Sequence, residues 1–173
     1  IVISWVMPCA VCASPSLAAY NAVQSFATSH PGRVHFYIAD DYANTTCATL
    51  MNWGNSNNMP NSTFFSSADI DMLDYGTAGL PKVVVLGGDS HTVYYNQNDN
   101  QINFNDVQTA IANALGPYSY VPDDNFETYL EANGMGDGIA LNNSVLTSNI
   151  DAVTELYVSN QNIADLTGIE DFT

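Results

Sequence analysis

Three cysteines are the side chains of this chain best suited to covalent chemistry, and two of them are spaced for it. Cys9 and Cys12 are separated by two residues, whereas Cys47 stands alone further along the chain. A C-x-x-C pair can close into a disulfide, or it can exchange disulfides with another molecule through a mixed disulfide. The spacing therefore makes Cys9 and Cys12 the first candidates for a redox site.

The same residue types give no metal-binding pattern. Zinc is held by about four nitrogen or sulfur ligands. Beyond the one C-x-x-C pair, the cysteines and the three histidines, His30, His35 and His91, show no paired ligand spacing. The polar run 96–100 carries oxygen ligands suited to Ca²⁺, but it lacks the glutamate and the spacing of a known calcium loop. We therefore expect neither a metal nor another cofactor.

The charge of the chain excludes whole classes of partner. Its 173 residues include 18 acidic and 2 basic side chains, Arg33 and Lys82, which give a formal net charge of −16. Nucleic acids and anionic lipids both require clustered Lys or Arg, so neither is an expected partner. No apolar run reaches the roughly 20 residues of a membrane span, and no signal peptide precedes the first strand-like segment. We expect a secreted or cell-surface bacterial protein that does not insert into the membrane.

The first 116 residues alternate strand-like and helix-like patterns that would position the cysteines. Ile1–Trp5 is apolar and β-branched, which predicts a buried strand just before Cys9. The other predicted elements are a helix over 14–29, a strand over 34–39, insertion helices over 46–53 and 68–75 (the second capped by Ser67), strands over 82–86 and 92–95, and a helix capped by Asn105 or Asp106 and ending at Leu115. The cysteine pair therefore lies between the first strand and the first helix.

Two segments carry a family resemblance. Residues 75–88, YGTAGLPKVVVLGG, resemble the thioredoxin-family segment YG-x-x-G-[IVL]-P, which is followed by an apolar strand and a glycine turn. Residues 5–12, WVMPCAVC, lie where that family carries its redox motif. The resemblance implies an α/β, thioredoxin-like fold with a helical insertion for residues 1–116. It also implies that Pro81 follows a cis peptide bond, which is chiefly a proline feature, and faces the active-site helix.

The resemblance leaves two registers of the redox motif open. In one, Cys9 is the nucleophile at a helix N-terminus, where free N–H groups favour a thiolate; Cys12 is then the resolving thiol and Pro81 completes the site. In the other, residues 5–9 overlay the family's W-C-x-P-C, so that Val6 replaces the nucleophile and Cys12 is an addition. Thioredoxins also carry a buried acid in the preceding strand, and this strand has none. A Cys9–Cys12 disulfide could equally be structural.

Cys47 has two interpretations. It falls in the insertion after the second predicted strand. Free cysteines are commonly small buried hydrophobes, which is the simpler interpretation. Alternatively, Cys47 exchanges with Cys9 or Cys12 and locks the insertion over the first helix.

The end of the chain has a different character. Residues 117–124 contain two prolines and predict a linker. Residues 150–169 match the leucine-rich repeat pattern L-x-x-L-x-L-x-x-N-x-I and resemble bacterial internalin-like repeats. Residues 125–173 would then form the N-terminal cap and first repeat of a solenoid, with Asn162 bonding the turning backbone and an array continuing beyond Thr173. The side chains expected to point into the solenoid are Val153, Leu156, Val158 and Ile163.

A thioredoxin-like domain followed by leucine-rich repeats resembles large secreted surface proteins of type IX-secreting bacteria. This resemblance implies a structural or interaction protein of the adhesin or assembly type. Its partners would be protein or glycan ligands, or further copies of the chain. The alternative function is that of an extracellular thiol-disulfide oxidoreductase using the Cys9–Cys12 pair. Whether the chain is an enzyme stays open at this point.

Overall fold

The apolar segments of the first half pair into one five-stranded sheet. The computed structural model describes residues 1–30, 32–87 and 90–172. The strands are β1 (Val2–Val6), β2 (Phe36–Asp40), β3 (Thr63–Phe65), β4 (Lys82–Gly87) and β5 (Thr92–Asn98), in the sheet order β3-β2-β1-β4-β5. β1 is parallel to β2 and β2 to β3, whereas β4 is antiparallel to β1 and to β5.

Both faces of this sheet are covered, which explains why β4 is nearly all valine. The helices of this unit are α1 (Ala10–Gln24), α2 (Cys47–Ser56) and α3 (Phe104–Leu115). Alternate β4 residues belong to different cores: Val83 and Val85 join the core that includes residues of α1, α2 and α3, and Val84 joins the core that includes Trp5 and Met72. The α/β prediction is confirmed for this unit, whose element order, strand directions and cis Leu80–Pro81 bond are consistent with a thioredoxin-like fold.

Several element bounds differ from the predictions. α1 begins at Ala10 rather than near residue 14, and it continues through Pro15. In place of a helix over 68–75 there is one 3-10 turn, Met72–Tyr75, whose N-cap is Asp71 because its carboxylate accepts from Leu73 N at 2.8 Å. Ser67 therefore does not cap it, and its hydroxyl accepts from Asp69 N instead.

Two further corrections concern a cap and a strand. The first turn of α3 is closed by Asn103, whose Oδ1 accepts from Asp106 N at 3.0 Å, because the helix already begins at Phe104. The expected cap residues, Asn105 and Asp106, lie inside the helix. β3 was not predicted at all: it is a three-residue edge strand inside a polar stretch, and only its parallel pairing with β2 reveals it.

The remainder of the chain forms a second compact unit, Gly116–Thr173, beside the first unit Ile1–Leu115 in sequence. It contains α4 (Asp124–Ala132) and an antiparallel pair of β6 (Tyr118–Tyr120) with β7 (Ser144–Leu146). Its core residues are Val121, Phe126, Leu130, Val145 and Ile150. β6 and the first residue of α4 thus lie within the stretch 117–124 that was predicted as a linker.

The carboxylates of Asp123 and Glu127 organise the turns of this second unit. Asp123 caps α4 by accepting from Asn125 N and Phe126 N at 3.0 Å each, and its other oxygen accepts from Ala164 N and Asp165 N. These backbone donors, that of Ala164 first, lower the pKa of Asp123. In the interior, α4 also contributes Glu127, which holds the turn before β7.

The described part of the second unit, residues 116–172, shows no solenoid. Residues 153–158 carry no strand, although Leu156, Val158 and Ile163 do pack against the core of this unit. Asn162 is exposed in a left-handed conformation, φ 57°, and its carbonyl accepts from Asn125 Nδ2 at 2.9 Å. The leucine-rich repeat stays a prediction. No helix in the described ranges is both long enough and apolar enough to span a membrane.

Candidate redox site

The junction of β1 and α1 places Cys9 at a helix N-terminus. β1 ends at Val6, α1 begins at Ala10, and Cys9 is the N-cap residue in an extended conformation. The first N–H groups of a helix have no intrahelical acceptor, so their partial positive charge acts on a group at this position. Cys9 therefore lies where the helix favours an anion.

The first turn of α1 brings the two thiols of the C-x-x-C pair together. Cys9 Sγ and Cys12 Sγ are 3.5 Å apart, and both cysteines are free thiols. Cys9 is half-buried, whereas Cys12 is only 1% exposed. The pair therefore has one thiol accessible to a reaction partner and one shielded thiol within reach of it.

The surroundings shift the pKa values of the two thiols in opposite directions. The backbone N–H of Cys12 has the largest effect on Cys9 and lowers its pKa; the Cys12 thiol and Val11 N–H act in the same direction. Burial first, and then the hydrogen bond with the adjacent Cys9, raise the pKa of Cys12 to about 12. Since only a thiolate is a good nucleophile, Cys9 is the more reactive thiol near neutral pH.

The position that the alternative register assigns to the nucleophile is not at the helix. Val6 is the last residue of β1 and is fully buried in the core that includes α1 residues. Cys9, by contrast, is at the N-terminus of α1. The geometry therefore fits the register in which Cys9 is the attacking thiol.

Pro81 lies at the same edge of the sheet. The antiparallel register pairs Trp5 with Lys82, which sets Pro81 beside the end of β1, from which the chain continues to Cys9. Pro81 is buried, its peptide bond to Leu80 is cis as the resemblance implied, and its carbonyl accepts from Asp99 N at 2.8 Å. The register thus brings Pro81 to the edge that carries the cysteine pair.

A buried lysine fastens the segment before Pro81. Lys82 is 2% exposed, and its Nζ donates to Thr77 O at 3.1 Å and to Asn98 Oδ1 at 3.2 Å. Burial lowers the pKa of Lys82. Asn96 Nδ2 also donates to Tyr75 O at 2.8 Å. Side chains of β4 and β5 therefore hold the stretch from Tyr75 to Thr77 in place.

An acidic pair near Cys12 is a feature that the sequence analysis did not assign to the site. Asp40 ends β2 and is 2% exposed; Asp41 follows it and is 6% exposed. Asp40 Oδ2 accepts from the backbone N–H groups of Asn44 and Thr45, while the Oδ1 atoms of both aspartates have no hydrogen-bond partner among the described residues. Burial, and then the charge of Asp40, raise the pKa of Asp41.

The carboxylate of Asp41 acts on the redox pair through its charge, which contributes to the raised pKa of Cys12. β2 is parallel to β1 with Asp40 beside Val6, and Asp41 N donates to Val6 O at 3.1 Å. The carboxyl ends of parallel strands meet at one edge of a sheet. Asp40 and Asp41, at the end of the second predicted strand, could therefore have been assigned to the redox site from the sequence. The sequence analysis looked for a buried acid only in the first strand.

The insertion helix α2 reaches Cys9 through a tryptophan. Trp53 Nε1 donates to Cys9 O at 3.1 Å, and both residues pack against the core that includes α1 residues. Cys47 begins the same helix but is exposed, with its Sγ 3.9 Å from Phe64 O. The interpretation of Cys47 as a small buried hydrophobe is therefore wrong, because the first turn of α2 faces solvent at this residue. Its exchange with Cys9 or Cys12 stays a prediction.

The described residues 1–30, 32–87 and 90–172 contain no group of three or more His, Cys, Asp or Glu side chains that could hold a metal ion.

Comparisons with known proteins give a similar solved structure for part of this chain. No protein-family model matches it, and no curated protein matches it. Among solved structures it is similar to a secreted disulfide oxidoreductase of Mycobacterium tuberculosis, described as homologous to E. coli DsbE. The two chains are 15% identical, the match covers 65% of this chain and 79% of the other, and the TM-score is 0.48.

Proposed function

We propose that the chain is a thiol-disulfide oxidoreductase in which Cys9 is the nucleophile and Cys12 the resolving thiol. The observation that carries the proposal is the thiol pair itself, with its sulfurs 3.5 Å apart at the N-terminus of α1. A lowered pKa at the accessible thiol and a raised pKa at the buried one give the two cysteines different tasks.

The reaction proceeds by two exchanges. The Cys9 thiolate attacks one sulfur of a substrate disulfide, forming a mixed disulfide while the other substrate sulfur leaves as a thiolate and takes up a proton. Cys12 then loses its proton and attacks Cys9 Sγ, which releases the second substrate thiolate. The substrate disulfide is reduced by two electrons, and the Cys9–Cys12 dithiol becomes a disulfide. The reverse sequence oxidises a substrate dithiol.

The raised pKa of Cys12 fits the order of these steps. A protonated Cys12 does not compete with Cys9 for the substrate, and its hydrogen bond with the Cys9 sulfur favours the thiolate of Cys9. Once Cys9 is in a mixed disulfide, the Cys9 thiolate no longer raises the pKa of Cys12. Deprotonation of Cys12 then becomes easier, and the second exchange follows.

Reduction of insulin coupled to dithiothreitol tests the proposal. The wild-type chain should accelerate insulin precipitation over dithiothreitol alone. Cys9→Ser should abolish this acceleration. Cys12→Ser, reduced and then mixed with insulin without dithiothreitol, should accumulate a mixed disulfide on Cys9. Cys47→Ser is the matched control and should retain the wild-type rate. A wild-type chain without turnover, or equal loss in all three variants, would contradict the proposal.

We also propose the secreted or cell-surface location expected from the composition, since the 18 acidic and 2 basic residues are typical of such proteins. Export can be tested by fractionating the source cells and locating the chain by immunoblot. A chain confined to the reducing cytosol would contradict this location and would leave the thiol pair in a compartment that disfavours disulfides.

An interaction role is the second candidate. It is supported by one observation: three of the four residues expected to point into a leucine-rich solenoid, Leu156, Val158 and Ile163, pack against the core of the second unit. Such arrays offer extended binding surfaces for protein or glycan ligands. If the chain assembles with itself, sedimentation equilibrium should show oligomers at micromolar concentration. A monomer at that concentration would contradict self-assembly.

A further inference from the structure

An open groove follows α1 from its first turn. Its volume is about 350 Å³, which lies in the range of roughly 300–1,000 Å³ that ligand sites occupy. One wall is a stripe of α1 residues spaced three or four apart, so they share one face of the helix. The other wall is the segment that leads into α3. The walls include Val11, Ser14, Pro15 and Ala18 on α1, with Ile102 and Phe104 opposite.

The groove begins at a residue that contacts the reactive thiol. The backbone N–H of Val11 bonds to the Cys9 sulfur and lowers the pKa of Cys9. The side chain of the same residue is 73% exposed and lines the groove. The reactive sulfur and the groove are therefore neighbours on one turn of α1.

The length of the groove matches a short stretch of extended polypeptide. From Val11 to Ala18 the helix rises about 10 Å, at roughly 1.5 Å per residue. An extended chain covers that distance in about three residues, at roughly 3.3 Å each. A polypeptide whose cysteine is held at Cys9 can therefore place one of its next few side chains in the groove.

The chemistry of the walls favours an apolar occupant. Among the described residues that line the groove none is charged, although the chain has 18 acidic side chains. The polar lining residue Asn103 is already engaged, since its Oδ1 accepts from Asp106 N and its Nδ2 donates to Asp106 Oδ2 at 2.7 Å. A charged side chain would lose water here without gaining an opposite charge. An apolar side chain would instead bury its surface against Val11 and Phe104.

We propose that this groove is a subsite for a large apolar side chain, such as that of leucine, of the polypeptide whose disulfide Cys9 attacks. The side chain would lie one to three residues from the attacked cysteine, between Ala18 on one wall and Ile102 on the other. This inference rests on the proposed function, because it names the substrate class of the same site.

Two peptides that share one intramolecular disulfide test the proposal, one with leucine and the other with asparagine at a fixed distance from the attacked sulfur. Distances of one, two and three residues are compared. At the best one, wild-type kcat/KM should favour the leucine peptide by about tenfold, as expected when one apolar side chain is partly buried. The difference should lie in KM rather than in kcat, because the contact is made equally in the bound substrate and in the transition state.

Variants that fill the groove locate the preference. Ser14→Trp places a large ring in the groove from an exposed helical residue, and it should reduce the leucine preference towards unity. Ala18→Leu fills the far end and should act in the same direction. Asn113→Trp is the control: it adds the same ring at an exposed residue of α3 that does not line the groove, and it should leave both peptides at their wild-type values. A preference that survives in both groove variants would overturn the subsite.

A binding experiment separates failure of this inference from failure of the proposed function. Peptides with alanine in place of both cysteines are titrated into the ¹⁵N-labelled full chain, so that no thiol chemistry is needed. The amide signals of Val11, Ser14 and Ala18 should shift, with half-saturation at about tenfold lower concentration for the leucine peptide. Absent turnover with this preference in binding would overturn only the enzymatic proposal. Equal affinities, or shifts of these amides on concentrating the chain without peptide, which would indicate a second copy as the occupant, would overturn the subsite.

Discussion

At the scale of single residues, the site depends on how differently two neighbouring cysteines are placed. Cys9 is at the open end of α1, where Cys12 N–H lowers its pKa, while burial raises the pKa of Cys12 to about 12. Reactivity towards an alkylating agent follows the thiolate fraction and access. The two thiols should therefore be modified at very different rates.

Alkylation of the reduced chain by iodoacetamide measures this difference. In a Cys47→Ser background at pH 7.5, Cys9 should react on the order of a hundredfold faster than Cys12, as quantified by peptide mass spectrometry. Raising the pH should first saturate the rate at Cys9, whose pKa is lowered, while the rate at Cys12 keeps rising. Equal rates, or faster modification of Cys12, would contradict the assigned roles.

Some residues of the site can be identified from the sequence alone, and others cannot. Cys9, Cys12 and Pro81 are found by local motifs, because two-residue spacing and a glycine-rich approach to a proline are properties of short segments. Asp41 and Trp53 are not, because their nearness to the pair depends on the pairing of β2 with β1 and on the packing of α2. Local motifs thus identify the reacting atoms, while the groups that tune and support them require the tertiary structure.

At the scale of elements, α1 shows why a boundary was misjudged. A proline inside a helix removes one backbone hydrogen bond but is tolerated in the first turn, and the predicted helix over 14–29 places Pro15 in that turn. In the structure the missing bond would have used the carbonyl of Val11, a residue 73% exposed, where water can satisfy that acceptor. The helix can therefore start at Ala10 and include Cys12.

α2 supports the N-terminus of α1 through one hydrogen bond, that from Trp53 Nε1 to Cys9 O. Trp53→Phe keeps an aromatic ring but removes the donor, so it should lower the free energy of unfolding by about 1 kcal/mol in denaturant titrations. Met51→Leu, on the exposed side of the same helix, is the control and should stay within about 0.5 kcal/mol of wild type. A Trp53→Phe variant as stable as this control would show that the bond contributes nothing measurable.

In the second unit, α4 is tied to the turn before β7 by Glu127. This side chain is fully buried, and its two oxygens accept from Asn142 N at 2.8 Å and Asn143 N at 2.9 Å. Glu127→Ala leaves both donors unpaired and should lower the stability of this unit by about 2–4 kcal/mol, seen as faster hydrogen exchange at those amides in the full chain. Glu155→Ala, at an exposed residue, should leave the exchange unchanged, and slow exchange in both variants would contradict the role of Glu127.

At the scale of the whole molecule, the division into two units follows from where the apolar residues can meet. Val83 and Val85 join a core within residues 1–115, whereas Phe126 and Val145 join a separate one. The first core could be predicted because its strands are strongly apolar. The pairing of Ser119 with Val145 could not be predicted. β6 and β7 have three residues each, which is too short for a clear strand pattern, and they are recognised as strands only by their hydrogen bonds to each other. Residues 117–124 therefore have the sequence pattern of a linker, although they form the beginning of a folded unit.

The net charge of −16 makes a final prediction at this scale, because it acts on a substrate before any contact forms. Such a field accelerates association with cationic partners and weakens as the Debye length shrinks from about 30 Å at 0.01 M salt to about 10 Å at 0.1 M. For a disulfide peptide rich in lysine, kcat/KM should fall by roughly tenfold over this range, while a glutamate-rich peptide should show the opposite trend. Asp71→Asn removes one of the 18 acidic charges and should leave this salt dependence nearly unchanged. Equal responses of the two peptides to salt would show that the field of the chain does not select its substrates.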